Sequence, residues 1–427
     1  MAIAAKNDFK FTQVFGDKIV AEKVTEEDII NALSFDKTGR FLALGDRAGR
    51  LIIFERNGSK KSKKGYSEFT YMTELQSHVK EFDFLKSVDI EEKINDIEWL
   101  RPSDDNMFVL TTNDKTIKLW KLSNKTIKRS EKIGDRSNVN LKNIGLPKLK
   151  TIDKGYCPSL KRSFSNLHNF HINSISVSSN GENFLSADDL RVNFWNLETP
   201  NVTFNLIDLK PDNFDDISEV ITKARFHPET DYQFIYATSK GLISIGDLRT
   251  NCNPSKNLLV LEDKQSTQKK NFFTDIINSI SDVSFSPNGR YIYSRDFLTV
   301  KVWDVANTAR PVQTINIFEP LKSKLCDLYE KDCIFDKFSI SASPCSDYVV
   351  TGMFNNRFHI LDRRGEKNTQ FELNFQRKTI SKVIPPNFYE SLSNDFNYTK
   401  KVLKVAWNPE SDCIAVASAN CLFFYNA

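Results

Sequence analysis

The sequence is poor in the residues that carry covalent chemistry. Its 427 residues include five histidines, His78, His168, His171, His227 and His359. None falls in an HExxH pattern, and no GxSxG, GxGxxG or GxxxxGK[ST] tract occurs. Neither a nucleophile elbow, a metal-held water nor a phosphate cradle is encoded, so enzyme activity by this chain is not expected. The seven cysteines are odd in number and never form CxxC. That argues against a disulfide framework and against paired zinc ligands, and most of the cysteines are expected to be small buried apolar groups in a reduced, intracellular chain. No metal or cofactor is expected, and the expected location is cytoplasmic, with the nucleus as a second compartment. No apolar run reaches the roughly 18 residues of a membrane span. The opening MAIAAKNDFKF lacks the apolar core of a secretory leader. A strong net charge is missing as well: 59 Lys+Arg stand against 55 Asp+Glu, a formal +4. This excludes a uniformly basic, nucleic-acid-coating protein, but a small sum can hide two large opposite terms.

Phenylalanine is abundant, at 33 residues. The phenylalanines gather in short β-type runs that repeat. The unit is an apolar strand, a turn with Asp, Asn or Gly, then an alternating strand closing on an aromatic and a polar residue. It occurs as LALGDRAGRLIIFER, VLTTNDKTIKLWKL, FLSADDLRVNFWNL, IYATSKGLISIGDL, YSRDFLTVKVWDV, VVTGMFNNRFHILDR and IAVASANCLFFYNA. The aromatic is lost in two copies, becoming Gly246 in one and Leu361 in the other. Before each unit lies another short strand: IINALSF, INDIEW, INSISV, ITKARF, ISDVSF, FDKFSI and VLKVAW. Seven such copies predict an all-β, seven-bladed propeller with long insertions, one domain over residues 1–427. The last copy ends at Ala427, one strand short, and FKFTQVFG (9–16) is expected to supply the missing outer strand.

With strands named a to d from the centre outward, the b–c and d–a connections share one face, the top. The a–b and c–d connections share the bottom. The longest insert, 121–163, is a c–d insert of the second blade with twelve Lys/Arg against three acids. It reads either as a solvated loop or as an arm that grips a partner. The loop RNGSKKSKKG (56–65) is basic without any acid, and reads as a loop tip or a nuclear-import signal. Together these two loops hold more positive charge than the whole chain's net, so the remainder is acidic. The d–a inserts EFDFLKSVDIEE and DLKPDNFDDISE carry five acids against one lysine each. KKNFFTDIINSIS and LKSKLCDLYEKDCIFDKF add aromatics. These inserts should frame an acidic bowl that attracts basic peptide segments, although each acid could instead cap its own turn or helix. The third blade has two aspartates in its b–c turn, Asp188 and Asp189. One can be structural while the other faces the bowl.

Long tracts, above all EFDFLKSVDIEEKIN (81–95) and NLHNFHINSISVSSN (166–180), resemble the WD-repeat, B-type regulatory subunits of protein phosphatase type 2A. LSADDLRVNFWNLE, FFTDIINSISDVSFSPNGRYIYSRD and SKLCDLYEKDCIFDKF extend the resemblance over nearly the whole chain. It implies a non-catalytic subunit of a heterotrimer with a helical scaffold (A) subunit and a Ser/Thr phosphatase catalytic (C) subunit. It implies that the top groove recruits phosphoprotein substrates with basic segments. The matching groove positions are Glu26, Arg47, Lys86, Asp89, Glu91 and His171, followed by Asp189, Asp215, Ile217, Tyr329, Phe335 and Lys337. It also implies that the arm and the bottom face dock on the scaffold, with Lys128, Arg129, Ile144, Leu146, Pro147 and Leu149 as candidates. Departures are mild in the groove: Phe170 stands where Tyr is usual, Ile217 for Leu, and Asp215 and Asp89 for Glu. The arm and the segment after Arg364 match weakly.

Overall fold

The structure is a computed structural model and describes residues 9–16, 24–61, 67–84, 86–101, 106–130, 149–165, 167–250, 258–263, 272–373, 383–384 and 397–427. The strands form seven antiparallel sheets, six of four strands and one of five, besides a two-stranded hairpin. In chain order the a strands are Ile30–Phe35, Asp96–Trp99, Ser174–Val177, Ile221–Phe226, Asp282–Phe285, Ile340–Ala342 and Lys404–Trp407. Each neighbours the next, and the seventh packs beside the first, so the sheets close into a ring. The core is a set of layers between adjacent blades. One joins Ile235 and Ala237 of blade 4 to Val283, Ile292 and Trp303 of blade 5. The expected FDKFSI strand starts too early. Asp332 takes a left-handed backbone (φ 55°) and Cys333–Phe335 forms a single 3-10 turn, so the strand begins only at Ile340.

The seam forms as the alternation of FKFTQVF requires. Lys10–Phe15 pairs antiparallel with Cys421–Asn426 as the outer strand of blade 7. Phe9 stands edge-on to Trp407 at 5.5 Å, Phe11 to Tyr425 at 6.0 Å and Phe15 to Phe424 at 6.0 Å. Such ring pairs each add about 0.5–1.5 kcal/mol beyond area burial. Gln13 stitches the seam to blade 1. Its amide donates to the Phe69 carbonyl (2.6 Å) and accepts from the Phe69 N–H (2.9 Å).

The a strands expose an edge to the channel, and their backbone groups need partners. Side chains of the preceding blade supply them. Asp96, Ser174, Asp282 and Ser339 accept from the N–H groups of Ile175, Ala224, Ile340 and Val405, at 2.9–3.2 Å. Asn31, Asn95 and Asn173, the Asn of each IN pair, donate to the carbonyls of Ile94, Ile172 and Ile221.

Blade 3 carries a buried relay. The Trp195 indole donates to Ser186 Oγ (2.8 Å), Ser186 bonds His168 Nε2 (2.6 Å), and His168 Nδ1 meets Asp188 (2.8 Å). These are the atoms of a hydrolase triad, yet Ser186 is closed to solvent, so the relay ties strands together rather than attacking a substrate. At Gly246 a Cβ would come within 2.4 Å of the Phe234 ring, so the neighbouring strand's phenylalanine replaces the missing aromatic.

Burial holds His78 and His359 at about 3, neutral in the folded state. A histidine depressed below its unfolded value near 6.5 supports folding above that pH and withdraws support as pH falls. The melting temperature should therefore drop between pH 7.5 and 5, and His359→Gln should flatten that drop. A drop left at the parent's size in both His359→Gln and His78→Gln would contradict this assignment.

Candidate functional site

The top face is built from b–c turns and d–a inserts around a central channel of about 1290 Å³. Its mouth is acidic because these connections supply Glu26, Glu27, Glu91, Glu92 and Asp189. Seven expected groove residues line the channel together: Glu26, Arg47, Glu91, His171, Asp189, Phe335 and Lys337. Several are cross-linked. Arg47 lies 3.9 Å from Glu26, Lys93 2.8 Å from Glu91, and His171 Nδ1 3.0 Å from Asp114. Lys93 first, through its hydrogen bond, holds the Glu91 carboxyl below its ordinary value.

The two aspartates of the ADDL turn divide as geometry demands. Asp188 is buried, accepts from the backbone N–H groups of Leu190 and Arg191, and takes His168. Burial alone would raise its pKa, but these bonds outweigh burial and hold it low. Asp189 is half-buried, accepts from Asn173 Nδ2 at 2.8 Å through Oδ1, and faces the channel mouth.

The remaining expected residues are not among those lining the channel and lie in three places around it. EFDFLKSVDIEE folds into a hairpin, Glu81–Asp83 with Val88–Ile90, on which Asp89 faces Lys80 at 3.4 Å. Lys86 reaches Asn169 Oδ1 (3.2 Å) and borders a cavity of about 270 Å³ walled by Phe170, Leu190 and Phe214. Asp215 is exposed in the 3-10 turn Phe214–Asp216, and Ile217 follows it, half-buried. Tyr329 belongs to an aromatic cluster with the exposed Phe272 and Phe335 and the half-buried Phe273, centroids 5.2–6.1 Å apart. The helices Phe272–Asn278 and Leu325–Glu330 present it.

The paired charges on the inner strands were not anticipated among the site residues. Lys223 lies 3.0 Å and Arg225 3.5 Å from Asp96, and Arg225 lies 3.5 Å from Glu98. Burial would raise the Asp96 pKa, but Arg225 and Lys223 overcome it, whereas burial keeps Glu98 raised. The signal was present in DIEW, ITKAR and VLKVAW, inner strands with charges at positions that belong to no apolar face.

On the opposite face the arm is a long ribbon, Ile117–Ser130 paired with Leu149–Phe164. Among the described residues its third strand reaches as far as Ser123, and beyond that row the pairing described is that of two strands. Lys128 stands opposite Thr151, Arg129 opposite Lys150, and Leu149 opposite Ser130. Ile144, Leu146 and Pro147 lie outside the described residues. Among the described residues no cluster of His, Cys, Asp and Glu is arranged to hold a metal ion.

Residues 160–196 match the WD domain, G-beta repeat, a stretch holding the end of the outer strand of blade 2 and most of blade 3. The chain is 42% identical over 460 aligned positions to the B-type regulatory subunit of protein phosphatase PP2A from Schizosaccharomyces pombe, covering 98% of both chains. It is 39% identical to the serine/threonine-protein phosphatase 2A regulatory subunit phr2AB of Dictyostelium discoideum, again over 98% of each. It is 40% identical to the beta isoform of the 55 kDa B-type regulatory subunit of Carassius auratus, over 94% of each. The chain belongs to the family of B-type regulatory subunits of PP2A. Its role in the PP2A phosphatase complex is regulatory and non-catalytic, in line with the closed-off Ser186–His168–Asp188 relay.

The split between the aspartates gives a stability test. Asp188→Ala leaves His168 and two backbone donors without their partner and should cost about 3–5 kcal/mol in denaturant unfolding. Asp189→Lys should stay within about 1 kcal/mol of the parent. Equal losses would make Asp189 a folding residue.

Proposed function

We propose that the chain docks on the scaffold (A) subunit of PP2A and holds substrates beside the catalytic (C) subunit. The bottom face and the basic ribbon, with Lys128, Arg129 and Leu149, meet the scaffold. The acidic top binds a Lys/Arg-rich segment of the phosphoprotein, with Asp189, Glu91 and Glu26 as counter-charges and Phe335 and Tyr329 as apolar contacts. The observation that carries this reading is Asp189, which lines the acidic mouth half-buried and takes one side-chain hydrogen bond, from Asn173, in contrast to the fully buried and engaged Asp188. Catalysis is assisted by tethering. A short flexible connection places the phosphorylated residue at millimolar effective concentration. The assembly acts in the cytoplasm, and in the nucleus if the basic loop at 56–65 serves as an import signal.

Two binding measurements test this. Asp189→Lys should weaken capture of a basic substrate peptide at least tenfold, about 1.4 kcal/mol, with scaffold affinity unchanged. Trimming residues 124–158 should do the reverse. Peptide capture indifferent to Asp189, or scaffold affinity indifferent to the ribbon, contradicts the corresponding half.

A further inference from the structure

Equivalent positions on the inner strands place a ring of side chains at one level of the channel. Four are charged: Asp96, Lys223, Asp282 and Lys404. Both acids are occupied. Asp96 takes Lys223 (3.0 Å), Arg225 (3.5 Å) and the Ile175 N–H (3.2 Å). Asp282 accepts from the backbone N–H groups of Val283 (3.0 Å) and Ile340 (2.9 Å). Lys404 is half-buried and, among the described residues, has no carboxylate within ion-pair distance. Lys337, on the segment entering the inner strand of blade 6, also lines the channel; Asp189 is the acid that faces it, beyond ion-pair distance, while its neighbour Asp336 is taken by Lys401 (2.5 Å).

The charged groups facing Lys404 are Lys223, Lys337, Asp96 and Asp282. Burial first, then Lys223, brings its ammonium down to about 8. Ammonium groups that line one channel with no carboxylate at ion-pair distance are completed by a ligand oxygen that bears negative charge.

We propose that the waist of the channel is an oxyanion-binding subsite, held by Lys404 and Lys337. The ligand is a carboxylate or phosphate group. It belongs either to an acidic residue flanked by Lys/Arg in the docked segment or to free inorganic phosphate. A bipolar segment fits the charge profile, since its basic residues meet the acidic mouth while its acidic residue reaches the waist. Assignment to the segment rests on the proposed function; the oxyanion site itself does not.

The first experiment is a melting measurement on the full chain in sodium phosphate against sodium chloride of equal ionic strength. Phosphate should raise the melting temperature by roughly 1–2 °C in the parent and in Lys404→Arg, and the rise should vanish in Lys404→Met and Lys337→Met. The second compares a basic peptide carrying a central Glu with its Gln counterpart. The parent should prefer Glu roughly three- to tenfold, and Lys404→Met should show no preference. A phosphate response without peptide discrimination supports the site and assigns it to a free ion. The same response in Lys404→Met as in the parent, or neither response in the parent, overturns the proposal. Failure of the parent to bind either peptide contradicts the proposed function, leaving the phosphate result to decide the site.

Discussion

The ring depends on one seam. Lys10–Phe15, at one end of the chain, forms the outer strand of a sheet whose other strands lie at Lys404–Asn426. Without it, blade 7 would present the edge of Cys421–Asn426, rich in Leu, Phe and Tyr, to any passing strand. Backbone pairing, three edge-on aromatic contacts and Gln13's two hydrogen bonds to the Phe69 backbone hold the seam together. Because the first and last segments meet, each blade is braced from both sides. The inter-blade bonds from Asn31 to Ser339 then act around a closed circle instead of along a fraying stack.

A closed ring has two faces with different sequences, and this lets one small net charge serve two surfaces. The c–d ribbon of blade 2 carries most of the basic excess on the bottom. The b–c turns and d–a inserts carry the acids to the top. Separation matters physically, because exposed charges more than about 8–10 Å apart in physiological salt barely sense one another. Each face can therefore meet a partner of opposite sign without neutralising the other.

Much of this was legible in the chain. Period-two alternation and the recurring turn residues pointed to seven blades, and the missing last strand pointed to residues 9–16. Asp188 and Asp189 divided into one structural and one channel-facing residue because a b–c turn has backbone donors for only one carboxylate. What was not legible depended on distance around the ring. Lys86 joins Phe170 and Phe214 because loops from different blades converge, and no local pattern encodes that meeting. Asp96 and Lys223 are far apart in sequence yet 3.0 Å apart in space, a pairing set by the equal level of inner-strand positions. Blade 6 misled for a local reason: the apolar look of FDKFSI hid a turn begun by the left-handed Asp332.

The central claim is that the propeller acts by holding substrate and not by altering the chemistry. It is tested most directly by comparing the reconstituted trimer with the scaffold–catalytic pair on two phosphopeptides, one with and one without a distant basic segment. Tethering predicts that adding the propeller raises kcat/KM only for the peptide bearing the segment, through a lower KM, and that the gain shrinks as salt rises. An equal gain on both peptides, carried by kcat and indifferent to salt, would contradict it.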